Sequence, residues 1–581
     1  MVDVDGGNAY KYGIERGLDA IGISIIAGEI KKISLESRKS LMEMSRRDSI
    51  HLGSSLSSLE IIASLYYVGK VINGGDWVIL SKGHAAPALY AVLAELGLLS
   101  RDELPTIQDI HSRLQGHPEV PTPGVDASTG SLGQGLGYAI GLATALKLSG
   151  KPNNVLVLVG DGELDEGQVW EALMDAVNRG LDNLLIVIDA NGFQLDGPVR
   201  PIKERAFKAM EALGLEVAQV NGHDVDQLVR EIIRLLGVRG RPKAIIARTI
   251  HGNGCPEIEN TSLQRPSQSP RPSASMRDSL GKSLVRAMDE LSDLVVLTAD
   301  VGGPTRASMV AKNHGSRYID VGISEQELVS VAAGLAGAGM RPAAVAFAMF
   351  LMRAWEQARN TVARMNLNVK LIGTHAGYSD ISDGSSHQVL EDIALMRVLP
   401  NFSIVVPADA ADVERSLPAA LRHDGPLYYR VGRDYSPSIT DGLNYEFKLG
   451  RGVVLEDGSD IAIIGAGPIL WDAIMAVKEL GKRGVSVSVI NMASVKPLDE
   501  DLILKYAKKT GAVITVEEHM AQGGLGSSVA ELLSTRYAVP IRVIGAHGFG
   551  RSARSVRDLL MRFGVNYRSI INAAMDLLNA R

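Results

Sequence analysis

Short apolar runs recur along the chain, and each stops abruptly at a small or acidic residue. Val155–Val159 stops at Gly160 and Asp161, and Leu184–Ile188 stops at Asp189. Runs that are apolar throughout, rather than alternating, mark parallel strands buried on both faces. Between these two, Val169, Leu173, Ala176 and Val177 share one face at helical spacing. The segment therefore reads strand, helix, strand. Farther along, Ile319–Ile323 reads as a short strand and Glu325 opens a helix, where an acid ordinarily complements the macrodipole. "IAIIGAG", "VSVSVINM" and "AVITVEEH" repeat the alternation near the end of the chain. The fold class predicted is α/β, with three α/β domains and mostly parallel sheets. Ser262–Asp278, "SLQRPSQSPRPSASMRD", is rich in Pro and Ser and has little to bury, so it reads as a linker. A second change of character falls at Pro437–Glu446. The domains expected are residues 1–261, 277–437 and 438–581, with residues 262–276 as linker.

Ligands of parallel sheets bind outside the carboxyl ends of the strands. Asp161 lies at one such end and Asn191 just past the next. A carboxylate with an amide carbonyl is hard oxygen ligation, suited to Mg²⁺ or Ca²⁺ with phosphate oxygens completing the shell. Gly160 and Gly162 let the backbone approach a bulky anion. "GDG" alone equally describes a strand-end Asp capping a helix, and it is Asn191 at a thirty-residue interval that tips the balance. His51, His84 and His117 each lie in a Gly-flanked loop, "SIHLGSS", "LSKGHA" and "QGHPE". In "DASTGSLGQGLGYAIGLATAL", Gly130, Gly133, Gly135 and Gly137 precede a small-residue helix, from helix packing or from close approach to a ligand. His375, Asp383 and His387 share one long polar loop, and long loops inside compact domains are commonly functional.

Composition narrows the classes. The chain has 581 residues, 46% of them hydrophobic, enough for several cores. A net charge of −6 gives no basic field for nucleic acid, and 5% aromatic content argues against base stacking. No apolar span reaches the ~20 residues a membrane helix needs. The polar "MVDVDGGNAYKYGIERG" has no signal-peptide core. Cys255 is the only cysteine, so no intrachain disulfide or Cys-rich zinc site is possible. A soluble, cytoplasmic enzyme without nucleic-acid or membrane partners is expected.

In shared order, "LSKGHA", "GHPE", "TGSLGQG", "GDGELDEG…DAN", "GISEQ", "THAG", "DGSSHQ" and "LPN" resemble the transketolase family across about Ile50 to Leu578. The spacing is similar to the archaeal type, in which the two catalytic halves can be separate chains; here they are joined. The resemblance implies two thiamine diphosphate-binding-fold domains, for diphosphate and then pyrimidine, and a transketolase C-terminal domain. It implies thiamine diphosphate as cofactor, held by Mg²⁺ (or Ca²⁺ or Mn²⁺) on Asp161, Asn191 and the Phe193 carbonyl. His84, Gly130, Ser131, Leu132, Gly160 and Gly162 fall on its cofactor-binding positions, Leu195 beneath the bent cofactor and Asp300 near the thiazolium. Phe347 and Phe350 match aromatics against the pyrimidine, a role compatible with plain core packing. Glu325 matches the acid that bonds the aminopyrimidine nitrogen, and a water-shielded, raised carboxyl is expected there. Glu166 and Glu171 match acids linking two cofactor sites across a homodimer whose active sites lie at the subunit interface. His51, His84, His117, His375 and His387 match the polar channel around sugar hydroxyls, with His375 and Asp383 as the donor-binding pair. Arg277 and Arg433 match two arginines that grip a sugar phosphate.

Two departures bear on the substrate. "ADVGGPTR" places Pro304 where the family usually has a phosphate-contacting Ser, with Thr305 and Arg306 next to it. A lost charge-assisted hydrogen bond is worth ~1.5–3 kcal/mol. The His expected after the "TIxGxG" loop is missing, and His251 lies within the loop itself. The activity implied is transfer of a two-carbon ketol unit between sugar phosphates. The alternatives are a deoxyxylulose-phosphate synthase, disfavoured by His375, and a noncatalytic transketolase-like scaffold, disfavoured by Asp161, Asn191 and Glu325.

Overall fold

Val155–Gly160 shows why its apolar run is unbroken. Leu156 and Leu158 enter one core with Leu56 and Leu89, while Val155, Val157 and Val159 enter another with Leu136 and Leu173. The computed structural model describes residues 20–263, 275–433 and 436–580. They form two units. The first holds the described residues before Ser269 together with Ser382–Ser386, and the second those of Pro270–Ile381 and His387–Arg581.

The five-stranded sheet of the first unit is wholly parallel, in the order Trp77–Leu80, Val155–Gly160, Leu184–Ala190, Lys243–Arg248, Glu216–Asn221. The helix Gly167–Asn178 buries Val169, Leu173 and Ala176, as the spacing predicts, and leaves Val177 half-buried. Gly160 pairs with Asp189 in register, so the ends of two central strands lie side by side.

In the second unit a seven-stranded sheet runs Ser494–Lys496, Ser403–Val405, Leu427–Arg430, Lys370–Thr374, Arg341–Phe347, Leu294–Thr298, Tyr318–Asp320. Its first member comes from the C-terminal part of the chain and pairs antiparallel with Ser403–Val405. Another sheet of the same unit runs Val453–Glu456, Val487–Asn491, Ile461–Ala466, Val513–Met520, Ile541–Ala546, antiparallel only at Val453–Glu456.

Three local expectations are corrected. The strand expected over Ile319–Ile323 is Tyr318–Asp320; the Asp320 carboxylate accepts from the Asp300 and Gly322 amides and turns the chain out of the sheet. Gly135 and Gly137 lie inside the helix Gln134–Leu148, where a Cβ on Gly135 would come within 2.8 Å of Ser81. The linker read as far as Asp278 gives way earlier to the helix Met276–Glu290, because Ser275 Oγ accepts from the Asp278 amide and caps it. Residues 264–274 lie outside the described residues.

Candidate active site

In the first unit the strand ends bring the turns that carry Asp161 and Asn191 together. Asp161 Oδ1 accepts from the Gly162 amide at 2.9 Å and Oδ2 from the Gly192 amide at 2.8 Å. Asn191 Oδ1 accepts from the Phe193 amide at 2.9 Å. Asp161 is 3% exposed, and its carboxyl is pushed up to about 7 by burial and then by the neighbouring Asp189 charge. A buried acid that resists ionisation, with Asn191 on the neighbouring turn, is a donor set a divalent cation would complete, since the cation supplies the missing counter-charge.

Asp189 and Lys82 lie behind this turn, both almost without solvent exposure. The ammonium donates to Asp189 Oδ2, which also accepts from Ser57 Oγ at 2.7 Å; Thr249 Oγ1 donates to Oδ1. Burial alone would raise the Asp189 carboxyl, but the Lys82 charge and these donors hold it below the usual range. Glu163 forms a second buried knot, accepting from the Gly133 amide at 2.7 Å, the Gly160 amide at 3.1 Å and Ser81 Oγ. It ties the loop after Val155–Gly160 to "TGSLGQG", where Gly133 takes the left-handed φ of 86° that a side chain disfavours. Gly130 (φ 150°), Ser131 and Leu132 lie on that loop, and a Cβ on Gly83 would meet the Gly130 backbone at 2.8 Å. Glu166 is buried at the N-cap of Gly167–Asn178, Glu171 is exposed on that helix, and Leu195 is half-buried.

The three loop histidines converge. His51 lies 5.8 Å from His84 and 6.3 Å from His117 between ring centres. Asp383, carried by the Ser382–Ser386 segment of this unit, has Oδ1 3.4 Å from His51 Nε2 and its carbonyl 3.1 Å from His117 Nδ1. A carbonyl only accepts, so His117 carries its proton on Nδ1 and offers the Nε2 lone pair. Burial lowers the pKa of His117, and burial with the Lys82 charge lowers that of His84 further. Both rings are neutral at pH 7, the form that exchanges protons with hydroxyls. His251 is buried with its ring 5.7 Å from that of Phe193, and a Cβ on Gly53 would overlap it at 2.1 Å.

In the second unit Glu325 is 3% exposed at the start of the helix Glu325–Gly337, with Arg353 Nη1 4.0 Å from Oε2. Phe347 and Phe350 stack at 5.1 Å; His375 stacks on Phe347 at 3.7 Å, and His387 meets Phe350 edge-on at 5.1 Å. Arg277 Nη1 lies 3.5 Å from His375 Nε2, and His375 Nδ1 2.9 Å from Thr374 Oγ1. An arginine only donates, so Nε2 accepts and Nδ1 holds the proton. His375 (φ 58°) and Asp300 (φ 56°) both sit in the left-handed region, strain of ~1–3 kcal/mol each that surrounding contacts must hold. Arg277 also donates to the carbonyls of Arg433 and Pro304, and Arg433 Nη1 pairs with Asp380 at 2.5 Å. Met276, Ser379 and Gly432, sequence neighbours of this group, line a cavity of about 360 Å³.

Family models agree with the order of these parts. Residues 40–268 match the transketolase thiamine diphosphate-binding domain, 272–437 the transketolase pyrimidine-binding domain and 450–570 the transketolase C-terminal domain. Transketolase-like protein 2 of Mus musculus is 34% identical over 557 residues, covering 86% of this chain and 88% of the relative. The chain belongs to the transketolase family. Transketolase of Homo sapiens is 32% identical over 590 residues, 91% of this chain and 94% of the relative. A solved split-gene transketolase, described as an inactive beta4 tetramer, is 40% identical over 53% of this chain and 99% of its own, with a TM-score of 0.49.

Within the transketolase frame the departure at Pro304 takes physical form. Thr305 is fully buried and its hydroxyl donates to the Val301 carbonyl at 2.7 Å, while Arg306 donates to Asp278 and the Gly303 carbonyl. Thr305 is engaged within its own turn and Arg306 is tied to Asp278 on the helix Met276–Glu290, and the Pro304 carbonyl serves instead as an acceptor for Arg277. Sequence reasoning missed Asp189, Lys82, Glu163 and Arg353. Charged residues at the end of, or between, buried apolar runs were the available signal for the first three. Among the described residues no helix is long and apolar enough to cross a membrane.

Proposed function

We propose that the chain transfers a two-carbon ketol unit from a ketose phosphate to an aldose phosphate. It does so with thiamine diphosphate and a divalent cation, Mg²⁺ first among them, as a homodimer with active sites at the subunit interface. The observation that carries the reading is Glu325: a buried acid opening a helix, in the same unit as stacked Phe347 and Phe350 with His375 packed on Phe347. Burying a carboxylate is costly unless it meets a partner, and a catalytically idle scaffold has no need of one there. Thiamine diphosphate, when bound, supplies a stabilised carbanion for breaking and forming carbon–carbon bonds beside a carbonyl.

The chain's own residues do the rest. Asp161, Asn191 and the Phe193 carbonyl would hold the cation. His84, Gly130, Ser131, Leu132, Gly160 and Gly162 would bind the cofactor, with Leu195 beneath it, Asp300 near the thiazolium, and Glu166 and Glu171 linking the two cofactor sites. Glu325 would hold the proton at the aminopyrimidine ring nitrogen, and Phe347 and Phe350 would exclude water from it. His51, His117 and His387 would exchange protons with sugar hydroxyls. His375 and Asp383 would orient the donor, and Arg277 with Arg433 would bind the phosphate. Tyr138 (52% exposed), Leu148 (84%) and Met174 (52%) leave apolar surface on Gln134–Leu148 and Gly167–Asn178, which a second subunit would cover.

The test is a panel of phosphorylated and free ketoses, each with several aldoses, at saturating thiamine diphosphate and Mg²⁺, with pyruvate-dependent CO₂ release run in parallel. Ketol transfer without CO₂ release is expected. CO₂ release instead identifies a deoxyxylulose-phosphate synthase. Neither, with cofactor bound, rejects the enzymatic reading.

A further inference from the structure

The side chain of Asn191 has two faces, and only one offers oxygen. It is 7% exposed, so water does not choose between them. Nδ2 donates to Ser57 Oγ at 3.2 Å and to Asp189 Oδ2 at 3.3 Å, while Oδ1 accepts from the Phe193 amide at 2.9 Å. Turning the amide over would set its oxygen against the Asp189 carboxylate and its NH₂ against the Phe193 N–H. The contacts to Asp189 and Phe193 would become like-against-like, and Ser57 Oγ could meet the turned oxygen only by giving up its donation to Asp189 Oδ2. Asp189 imposes this choice because it sits at the end of a central strand, fixed by Lys82, Thr249 and Ser57 at once. Lys82 in turn cancels its charge beside Asp161.

We propose that the buried Asp189–Lys82 pair is the positioning element of the cation site, locking Asn191 so that its oxygen faces outward while adding no net charge. The inference rests on the reading of Asp161 and Asn191 as cation ligands. A buried ion pair is a poor route to stability, since an apolar pair of similar volume commonly replaces it without loss. What it does here is the one thing an apolar pair cannot do, which is to read out the two ends of an amide.

The test uses the full chain and follows thiamine diphosphate binding by calorimetry at a series of Mg²⁺ concentrations, with urea unfolding of the metal-free protein alongside. Lys82→Met with Asp189→Leu removes one charge of each sign. The Mg²⁺ concentration at half-saturation should rise 10–100-fold, the range for loss of a group supporting a ligand, with the unfolding midpoint retained. Adding Asn191→Asp, whose carboxylate has no wrong end, should lower that concentration at least tenfold more in the Lys82→Met/Asp189→Leu background than in the wild type. Should the apolar pair fail to fold, Ser57→Ala removes one of the two acceptors without altering charge and should raise the requirement at least threefold. An Mg²⁺ requirement unchanged in these variants, or an Asn191→Asp effect equal in both backgrounds, overturns the positioning role while leaving the cation site standing. Wild-type binding indifferent to Mg²⁺ overturns the cation site and the positioning role with it.

Discussion

Replacing Asp161 with Asn should move stability and cofactor binding in opposite directions. In the metal-free protein the Asp161 carboxyl titrates near 7, against 3.8 for an ordinary Asp. The folded state therefore binds more protons than the unfolded state between those values, and stability falls as pH rises through that window. Three pH units correspond to ~4 kcal/mol at most. The group is 3% exposed, so screening by solvent takes little from this ceiling. Asn carries no charge to desolvate, but it accepts from only one of the Gly162 and Gly192 amides that Asp161 satisfies. An unsatisfied buried amide costs ~1–3 kcal/mol, leaving a net gain of ~1–3 kcal/mol at pH 8 that shrinks as pH drops from 7 towards 4. Urea unfolding in EDTA from pH 5 to 8 measures it, and calorimetry with Mg²⁺ measures cofactor binding, which should fall at least 100-fold. Parallel stability curves for the two proteins across that range would show that Asp161 is not a strained buried acid, and Mg²⁺-dependent binding that survives the change would show that it is not a cation ligand.

Glu325→Gln should bind thiamine diphosphate within a fewfold of wild type yet lose at least ~100-fold in turnover, the usual scale of a lost proton-transfer group; near-normal deuterium exchange at the thiazolium carbon would contradict this. Arg277→Ala and Arg433→Ala should each raise KM for phosphorylated sugars more than they lower kcat, because phosphate binding is largely equal in ground and transition states; equal losses on free and phosphorylated sugars would remove the clamp. Lys370, 1% exposed at the start of its strand, is lowered to about 7 by burial and the Arg341 charge. Its folded pKa lies below the unfolded one, so its cost is present below pH 7 and relieved as pH rises towards 10.5. Lys370→Met should therefore gain most at pH 6 and least at pH 10, and a pH-independent difference in unfolding free energy would show the ammonium stays charged through its bonds to the His423 and Gly425 carbonyls.

Much of the fold was legible because burial on two faces writes itself as unbroken apolar runs. Val155–Gly160, Ile461–Ala466 and Val513–Met520 fall where those runs lie. Tyr318–Asp320 ran short of its apolar stretch because the Asp320 side chain, and not hydrophobicity, ends it. Candidate residues that a motif carries, such as Asp161, Asn191 and the three loop histidines, were legible for their chemistry. Asp189 and Lys82 were not, since their role exists only through partners scattered over Ser57, Asn191 and Thr249. Asp383 shows the same limit. Its segment belongs with His51 and His117 in the first unit, more than 260 residues away in sequence (|i−j| = 266 for His117).

Ser494–Lys496 completes the edge of a sheet whose other six strands precede it by at least sixty residues. A gene cut near residue 440 would leave Ser403–Val405 as an open, fully buried-type edge seeking another chain, the circumstance that drives strand swapping and aggregation. No described strand pairing crosses the Pro- and Ser-rich segment before Met276, so a cut there strands no edge. The sheets after that segment therefore have to be inherited in one piece, and a cut before Met276, though it opens no sheet, would still part Asp383 from the His51 and His117 it meets in the first unit.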